Sequence, residues 1–159
     1  MTATRANPAN LTTSPNAAPQ KDGIARTIAR VLLGAALVFA GTSHLTTMRE
    51  EFQAQVPPWL PADQDFVVVV SGWVEITLGL ALLITPKRLR PFVGAITAAF
   101  FIAIFPGNIA QYIEQRDAFG LNTDEARLIR LFFQPVLVLW AIWSTATFRA
   151  WRMRRRSHR

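Results

Sequence analysis

The sequence predicts an all-α integral membrane protein, a four-helix bundle with both termini on the cytoplasmic side. Three observations carry this prediction. Hydrophobic residues form 51% of the 159-residue chain and charged residues only 17%, below the ~25% of typical soluble domains. Long apolar runs separate the few charges. The basic residues gather in alternate connecting segments, as the positive-inside rule requires of a multi-pass protein.

Four apolar runs supply the predicted spans. A helix rises ~1.5 Å per residue, so about 20 residues cross a hydrocarbon core of ~30 Å. Three of the runs contain no charged residue, and the second contains one, Glu75. A soluble protein of this length lacks the polar surface to cover four such segments, which therefore predict membrane helices. The runs comprise residues 31–48, 66–85, 91–113 and 131–148.

The connecting segments alternate in charge. The N-terminal tail, the second loop and the C-terminal tail hold most of the 17 basic residues, with Asp22 as their single acidic residue. The first and third loops hold most of the acidic residues. Because basic segments stay on the cytoplasmic side, this alternation predicts an N-in, C-in topology.

The chain divides into a membrane domain and two tails. Residues 1–23 are rich in Ala, Asn, Pro and Thr and predict a disordered cytoplasmic tail. Residues 24–150 form the predicted four-span domain, and residues 151–159 form a basic cytoplasmic tail. The arginines of this tail are expected to meet anionic lipid headgroups. Nucleic-acid binding is not expected, because no stacking pattern or nucleic-acid fold accompanies them.

The composition excludes several kinds of chemistry. The chain has no cysteine, which removes disulfides, thiol redox chemistry and cysteine-ligated zinc or iron–sulfur clusters. Its only histidines are His44 and His158, too few within the membrane for a bis-histidine haem. A metal site is not expected from one histidine and one buried carboxylate. We therefore expect no cofactor ligand set in the chain, and a bound quinone or lipid is the remaining candidate.

The polar residues within the spans share one half of the predicted membrane. Glu75 falls near the middle of span two, and the others lie between the midplane and the outer face. Polar groups in lipid are expensive and usually functional, so this cluster predicts an outward-facing polar pocket. Its candidate ligand-binding residues are His44, Trp59, Glu75, Asn108, Gln111, Arg130 and Gln134. The sequence identifies no catalytic residue.

Helical spacing predicts that Glu75 faces the bundle. Gly72 and Gly79 share its helical face, and small residues at such positions let a neighbouring helix approach. Arg130 is the candidate partner of the carboxylate, because its long side chain could reach it, and His44 is a hydrogen-bonding neighbour. Two interpretations remain open. The pair fixes helix register, or it lines a pocket that binds a small molecule or carries a proton.

Prolines mark the outer half of the bundle. Residues 105–108, Phe-Pro-Gly-Asn, predict an interruption and a kink in span three, and Pro135 predicts a kink in span four. The first outer loop, residues 56–61, contains three prolines around Trp59 and Leu60. We expect this loop to form a rigid flap over the polar cluster.

Five short motifs carry a family resemblance. They are Gly-Thr-Ser-His-Leu at 41–45, Pro-Trp-Leu-Pro at 58–61, Ser-Gly-Trp-Val-Glu-Ile at 71–76, Phe-Pro-Gly-Asn at 105–108 and Arg-Leu-Phe-Phe-Gln-Pro at 130–135. In this order the chain resembles the DoxX family of small four-span bacterial membrane proteins over residues 25–143. The resemblance implies a four-helix bundle in the cytoplasmic membrane, with quinone-linked sulfur oxidation or oxidant detoxification among relatives. The matching pocket positions are His44, Glu75, Asn108 and Arg130.

Three functions are compatible with these features. The first is a non-catalytic accessory or assembly subunit that docks a membrane partner or binds a lipid-like ligand, without catalytic activity of its own. The second is a quinone-reactive subunit of an oxidoreductase, with a redox partner protein that supplies electrons. The third is a small proton-coupled carrier that uses Glu75. Four spans are few for a carrier, so the third function would require a homo-oligomer.

Overall fold

The computed structural model describes residues 23–120 and 122–157, and all the regular secondary structure within these ranges is helical. Four helices are long and apolar enough to cross a membrane, which confirms the predicted all-α class and the number of spans. The predicted tail at residues 1–23 lies outside the described residues, apart from Gly23. The helices are α1 (Ile24–Leu45), α2 (Arg49–Gln53), α3 (Gln64–Ile84), α4 (Arg90–Ile113), α5 (Asp124–Ser144) and α6 (Thr147–Ser157).

Local capping sets where two of the long helices begin. The Asp63 carboxylate accepts a hydrogen bond of 2.8 Å from the Phe66 backbone N–H at the start of α3. The Thr123 hydroxyl accepts one of 3.3 Å from Ala126 at the start of α5. These side chains satisfy backbone donors that the first turn leaves free. As a result α5 begins well before the fourth uncharged run and includes the arginines ahead of it.

Glycines bring α1 and α3 into close antiparallel contact. A Cβ atom on Gly72 would lie 3.0 Å from the Gly41 carbonyl oxygen, and one on Gly79 would lie 2.6 Å from the Gly34 oxygen. Only residues without a side chain allow two helix backbones to approach so closely. The predicted helix contact on the Gly72–Gly79 face is therefore confirmed. It buries Glu75, whose residue surface is 6% exposed.

The bundle has two distinct ends. The loop end carries α2, residues 54–63, residues 114–120 and residues 122–123, and the terminal end carries the start of α1 and the end of α5. At the terminal end, the Trp140 indole donates a hydrogen bond of 2.9 Å to the Ala29 carbonyl, joining α5 to α1. An apolar core fills this half of the bundle. Its fully buried members include Leu33, Leu82 and Ala141.

Pro106 and Pro135 both lie inside continuous helices. Span three is not interrupted at residues 105–108, because α4 continues through Pro106 to Ile113. A proline weakens backbone hydrogen bonding in the preceding turn, and neighbouring side chains can supply replacements. The carbonyl that Pro106 leaves without its helical donor is that of Ile102, and the adjacent Phe101 carbonyl accepts from the Gln134 amide at 2.6 Å. Gly107 of this motif allows the first loop to pack closely against α4, because a Cβ on Gly107 would lie 2.6 Å from the Gln55 carbonyl oxygen.

Two helices have no counterpart among the predicted elements. The short helix α2 precedes the prolines of the first loop. The basic segment forms α6 from Thr147 onward, across the predicted boundary at residue 150. A left-handed turn at Ala146, φ 58°, separates it from α5, and the Thr147 hydroxyl donates to the Pro91 carbonyl at 2.9 Å. The C-terminal segment is thus packed against the start of α4.

Candidate functional site

A cavity of about 650 Å³ opens within the loop half of the bundle. Its volume lies within the range of ~300–1,000 Å³ typical of small-molecule sites. All four long helices contribute to its walls, and so do α2 and both loop-end connections. Apolar side chains form most of the lining. On the side nearest the terminal end these are Leu33, Leu37, Phe101 and Leu137.

Most of the predicted pocket residues meet in this cavity. The exception is Gln111, which is buried beside it and whose amide donates to the Arg116 carbonyl at 3.4 Å. Gln111 faces the third loop from α4, so it packs against this loop rather than against the cavity. The predicted residues that line the cavity are His44, Trp59, Glu75, Asn108, Arg130 and Gln134.

His44 and Glu75 form the most buried polar pair of the cavity. The Nε2 atom of His44 lies 3.6 Å from Oε2 of Glu75, and both side chains are more than nine-tenths buried. Neither atom has a hydrogen-bond partner among the described residues. Two buried polar atoms are thus directed at each other and at the cavity, which is costly unless a proton or a ligand satisfies them.

Ser71 fixes the tautomer of His44. The Ser71 hydroxyl donates to the Val68 carbonyl at 2.9 Å, so it accepts from Nδ1 of His44 at 3.0 Å. With Nδ1 protonated, a neutral imidazole presents the Nε2 lone pair to Glu75. At 3.6 Å the Nε2 and Oε2 atoms are too far apart for a hydrogen bond to each other, so both remain available to a ligand.

The expected pairing of Glu75 with Arg130 differs from the structure. The guanidinium carbon of Arg130 lies 4.7 Å from the centroid of the Phe119 ring, a cation–π contact. The reason lies in how the helices pair. The glycine contact brings α1 against α3 and places His44 beside Glu75, whereas Arg130 approaches the cavity from α5 on the opposite pair of helices.

An amide chain links α4 to α5 in the cavity wall. The Asn108 amide donates to the Gln134 side-chain oxygen at 2.9 Å, and the Gln134 amide donates to the Phe101 carbonyl at 2.6 Å. Both side chains are buried. This chain satisfies polar groups that would otherwise face an apolar surrounding, and it fixes α5 against the proline-containing part of α4.

Two phenylalanines that the sequence did not indicate cover the cavity at the loop end. Phe52 of α2 contacts the His44 ring and meets the edge of Phe119, with ring centroids 4.6 Å apart. Phe119 has a left-handed backbone, φ 56°, and its N–H donates to the Glu51 carboxylate. Phe52 lies in a helix of only five residues and Phe119 in a loop, so no periodic sequence pattern places them together. They form an aromatic cover that joins His44 to Arg130.

Ion pairs hold the loop-end segments around this cover. The guanidinium of Arg49 binds the Asp65 carboxylate, which holds the pKa of Arg49 above its ordinary value. Arg127 binds Asp117 and Asp124, the second at 2.8 Å. Arg116 pairs with Glu114 at 2.7 Å and donates to the Val56 carbonyl at 3.2 Å. These contacts therefore fix the segments that adjoin the proline-containing loop at residues 56–61, the expected flap.

The cavity also reaches the surface that faces the surrounding lipid in a membrane. Three of its aromatic lining residues are largely exposed: Phe39 of α1 at 73%, Trp59 at 65% and Phe133 of α5 at 51%. Phe39 and Phe133 stand on neighbouring helices. Both side chains therefore line the cavity and also reach the outer surface of the bundle.

The described residues give no metal-binding arrangement. Across residues 23–120 and 122–157 no group of three or more His, Asp and Glu side chains is close enough to hold a metal ion. The second histidine, His158, lies outside the described residues. The chemistry within reach of the cavity is therefore that of the His44–Glu75 pair, the Arg130 guanidinium and the two amides.

A comparison of the sequence with protein-family models matches it to one family. Residues 33–145 match a family model described as Domain of unknown function (DUF8561). The match covers most of the chain, so the chain belongs to this family. It includes every residue that lines the cavity. No curated protein and no solved structure matches the chain.

Proposed function

We propose that this member of the DUF8561 family is an integral membrane protein that binds a small amphipathic molecule and acts as a non-catalytic accessory or assembly subunit. The cavity is the observation that carries the proposal. It measures about 650 Å³, and its polar residues occupy a limited part of a mainly apolar wall. Such a combination of apolar walls and a few directed polar groups is typical of ligand sites.

The distribution of the lining favours a ligand with a polar head and an apolar body. Glu75, His44 and Arg130 offer charged or hydrogen-bonding groups to the head. Leu37 and Leu137 offer apolar surface to the body. The unpartnered Nε2 and Oε2 atoms of the histidine–glutamate pair supply a reason for a polar group to enter, because a ligand hydrogen bond removes their desolvation penalty.

The exposed lining residues on α1 and α5 support a lateral opening through which a ligand enters from the lipid phase. Phe39 and Phe133 line the cavity and are also exposed on the outside of the bundle, so an apolar molecule could pass between α1 and α5 without crossing water. An amphipathic molecule dissolved in the membrane reaches such a site by lateral diffusion. Membrane lipids themselves belong to this class of ligand.

The same proposal includes an orientation. The terminal end carries the exposed basic residues Lys87 and Arg88, and the basic helix α6. The loop end carries the acidic residues of α2 and of the third loop. We place the terminal end in the cytoplasm of a bacterial cell, by the positive-inside rule, and the cavity toward the outside. The resemblance to the DoxX family agrees with this location.

One observation favours a second candidate, a quinone-reactive subunit of an oxidoreductase. The His44–Glu75 pair places an imidazole and a carboxyl group, both able to exchange protons, at the wall of the cavity, and reduction of a quinone consumes protons at its oxygens. Electrons would have to come from a partner protein, because this chain supplies the environment for a quinone but no redox centre among the described residues.

Co-purification tests the proposal directly. The full chain is purified in a mild detergent, and bound lipids, quinones and proteins are identified together by mass spectrometry. Ala40 lines the cavity, so Ala40→Trp should fill it and remove the bound molecule. Ala35 lies on the exposed side of the same helix, and Ala35→Trp is the matched control. A molecule retained equally by both variants would contradict the proposal.

The identity of the retained molecule separates the two candidates. A quinone that is lost from both Ala40→Trp and Arg130→Ala would favour the redox subunit. A lipid-like molecule, together with a stoichiometric partner protein, would favour the accessory subunit. If neither a small molecule nor a partner is retained by the unmodified chain, the cavity has no ligand under these conditions and the proposal fails.

A further inference from the structure

Arg130 differs from the other arginines at the loop end. Arg49, Arg116 and Arg127 each bind at least one carboxylate within the described part of the chain. For Arg130 the contact that the structure gives is the face of the Phe119 ring. No described carboxylate lies within ion-pair distance of it. An arginine stacked on a ring keeps the donors along its edge available for a planar anion.

The cavity holds one guanidinium that has no carboxylate partner among the described residues. Its charged or titratable lining residues are His44, Glu75 and Arg130. Glu75 faces His44 at 3.6 Å, and no ion pair joins it to Arg130, whose contact is the Phe119 ring. A charge kept away from water is expensive unless it is paired, so the guanidinium is suited to a negatively charged group of a ligand.

We infer that the molecule bound in this cavity is a carboxylic acid with an apolar chain, and that the Arg130 guanidinium binds its carboxylate. This inference rests on the proposed function. The guanidinium fork matches a carboxylate through two parallel hydrogen bonds. The apolar chain lies along the leucine-lined wall or in the opening between Phe39 and Phe133.

A phosphate head fits this arrangement less well than a carboxylate. A phosphate monoester carries about −1.5 to −2 charges near neutral pH, more than a single guanidinium neutralises. The excess negative charge would face Glu75 and the apolar walls. The two amides, Asn108 and Gln134, are already engaged with each other and with the Phe101 carbonyl, so they supply little compensation.

The test compares two ligands that differ only in their heads. Binding of radiolabelled dodecanoic acid and of dodecanol is measured on the full chain in phosphatidylcholine nanodiscs, with empty nanodiscs as the blank. A mildly alkaline buffer keeps the acid ionised. The Arg130→Gln variant should weaken binding of the acid by about 10- to 100-fold, the usual effect of a lost charged hydrogen bond, and should change dodecanol binding by less than about threefold.

Two further variants keep the test decisive. Arg130→Lys retains the charge but not the fork, and it should weaken acid binding to an intermediate degree. Arg88→Gln removes an equal charge from an exposed position far from the cavity, and it should leave both ligands unaffected. If Arg130→Gln fails to fold, Arg130→Lys carries the comparison alone.

The outcomes separate this inference from the proposed function. If the unmodified chain binds dodecanol as tightly as the acid, or if the Arg130 variants bind the acid normally, the carboxylate assignment is overturned while the cavity remains a ligand site. Tighter binding of dodecyl phosphate than of dodecanoic acid would also overturn it. If neither ligand binds above the blank, and Ala40→Trp makes no difference, the proposed function itself fails.

Discussion

The Nε2 atom of His44 lies 3.6 Å from the Glu75 carboxylate, across the glycine-mediated contact between α1 and α3. The relationship depends on that contact, because a side chain at residue 41 or 72 would move the two helices apart. Backbone packing by small residues thus places two buried polar atoms face to face at the wall of a cavity.

Substitutions at Glu75 should distinguish the loss of charge from the loss of a partner. Glu75→Gln keeps an N–H group that can donate to His44 Nε2, so stability should change by less than ~1 kcal/mol. Glu75→Ala leaves the imidazole nitrogen buried and unsatisfied, and should cost ~1–3 kcal/mol. Equilibrium unfolding in mixed detergent micelles measures both. Equal losses for the two variants would show that the charge itself is needed.

The α1–α3 contact should tolerate no added side chain. In Gly79→Ala the added Cβ atom would lie 2.6 Å from the Gly34 carbonyl oxygen. That oxygen belongs to the backbone of α1 and cannot move aside. We expect a loss of ~1–3 kcal/mol, the usual cost of overpacking. Gly23→Ala is the control, since no atom lies within 4 Å of its added Cβ. A stable Gly79→Ala variant would mean that the helices pack less closely than described.

Sequence reasoning reached the glycine contact but not the partner of Glu75. The spacing of Gly72, Glu75 and Gly79 shows that they share a face, and this is a property of one helix. Which helix covers that face depends on the arrangement of all four, and periodicity does not contain that information. The choice between His44 and Arg130 therefore required the tertiary structure.

The aromatic cover shows a second limit of the same kind. Phe52 and Phe119 lie far apart in sequence, the first in the short helix α2 and the second in a loop, and neither segment has a periodic pattern. Two hydrogen bonds join the segments that carry them, one from the Phe119 N–H to the Glu51 carboxylate and one from the Arg116 guanidinium to the Val56 carbonyl. Such long-range loop contacts leave no local pattern. By contrast the polar cluster was predictable, because polar residues are conspicuous in apolar runs.

The amide chain between α4 and α5 should act as one unit. Gln134→Leu removes the acceptor of Asn108 and the donor to the Phe101 carbonyl, and hydrogen bonds of this kind between membrane helices are worth ~0.6–2 kcal/mol. Adding Asn108→Leu to that variant should recover part of the loss, because it removes an unsatisfied buried amide. A double-mutant cycle of unfolding free energies measures the coupling. Strict additivity would contradict a shared network.

The proposed orientation can be tested with single cysteines, because the chain contains none. Ala62 is exposed at the loop end and Pro86 at the terminal end. In intact cells with a permeable outer layer, an impermeant maleimide should label Ala62→Cys at once and Pro86→Cys only after the membrane is opened. The two substitutions leave every charged residue in place, so they do not disturb the charge bias. The reverse labelling pattern would place the cavity toward the cytoplasm.

The aromatic cover should slow the escape of a bound ligand. Phe52 contacts both His44 and Phe119, so Phe52→Ala opens the loop end of the cavity while leaving the Phe119–Arg130 contact in place. We expect dodecanoic acid to dissociate about tenfold faster, with a smaller change in association, since interface changes act mainly on dissociation. Phe92→Ala removes an equally large ring from an exposed site near the start of α4 and should have no effect. An unchanged dissociation rate in Phe52→Ala would contradict this role of the cover and indicate that the ligand leaves between Phe39 and Phe133. In that case Phe133→Trp should narrow this route and slow dissociation.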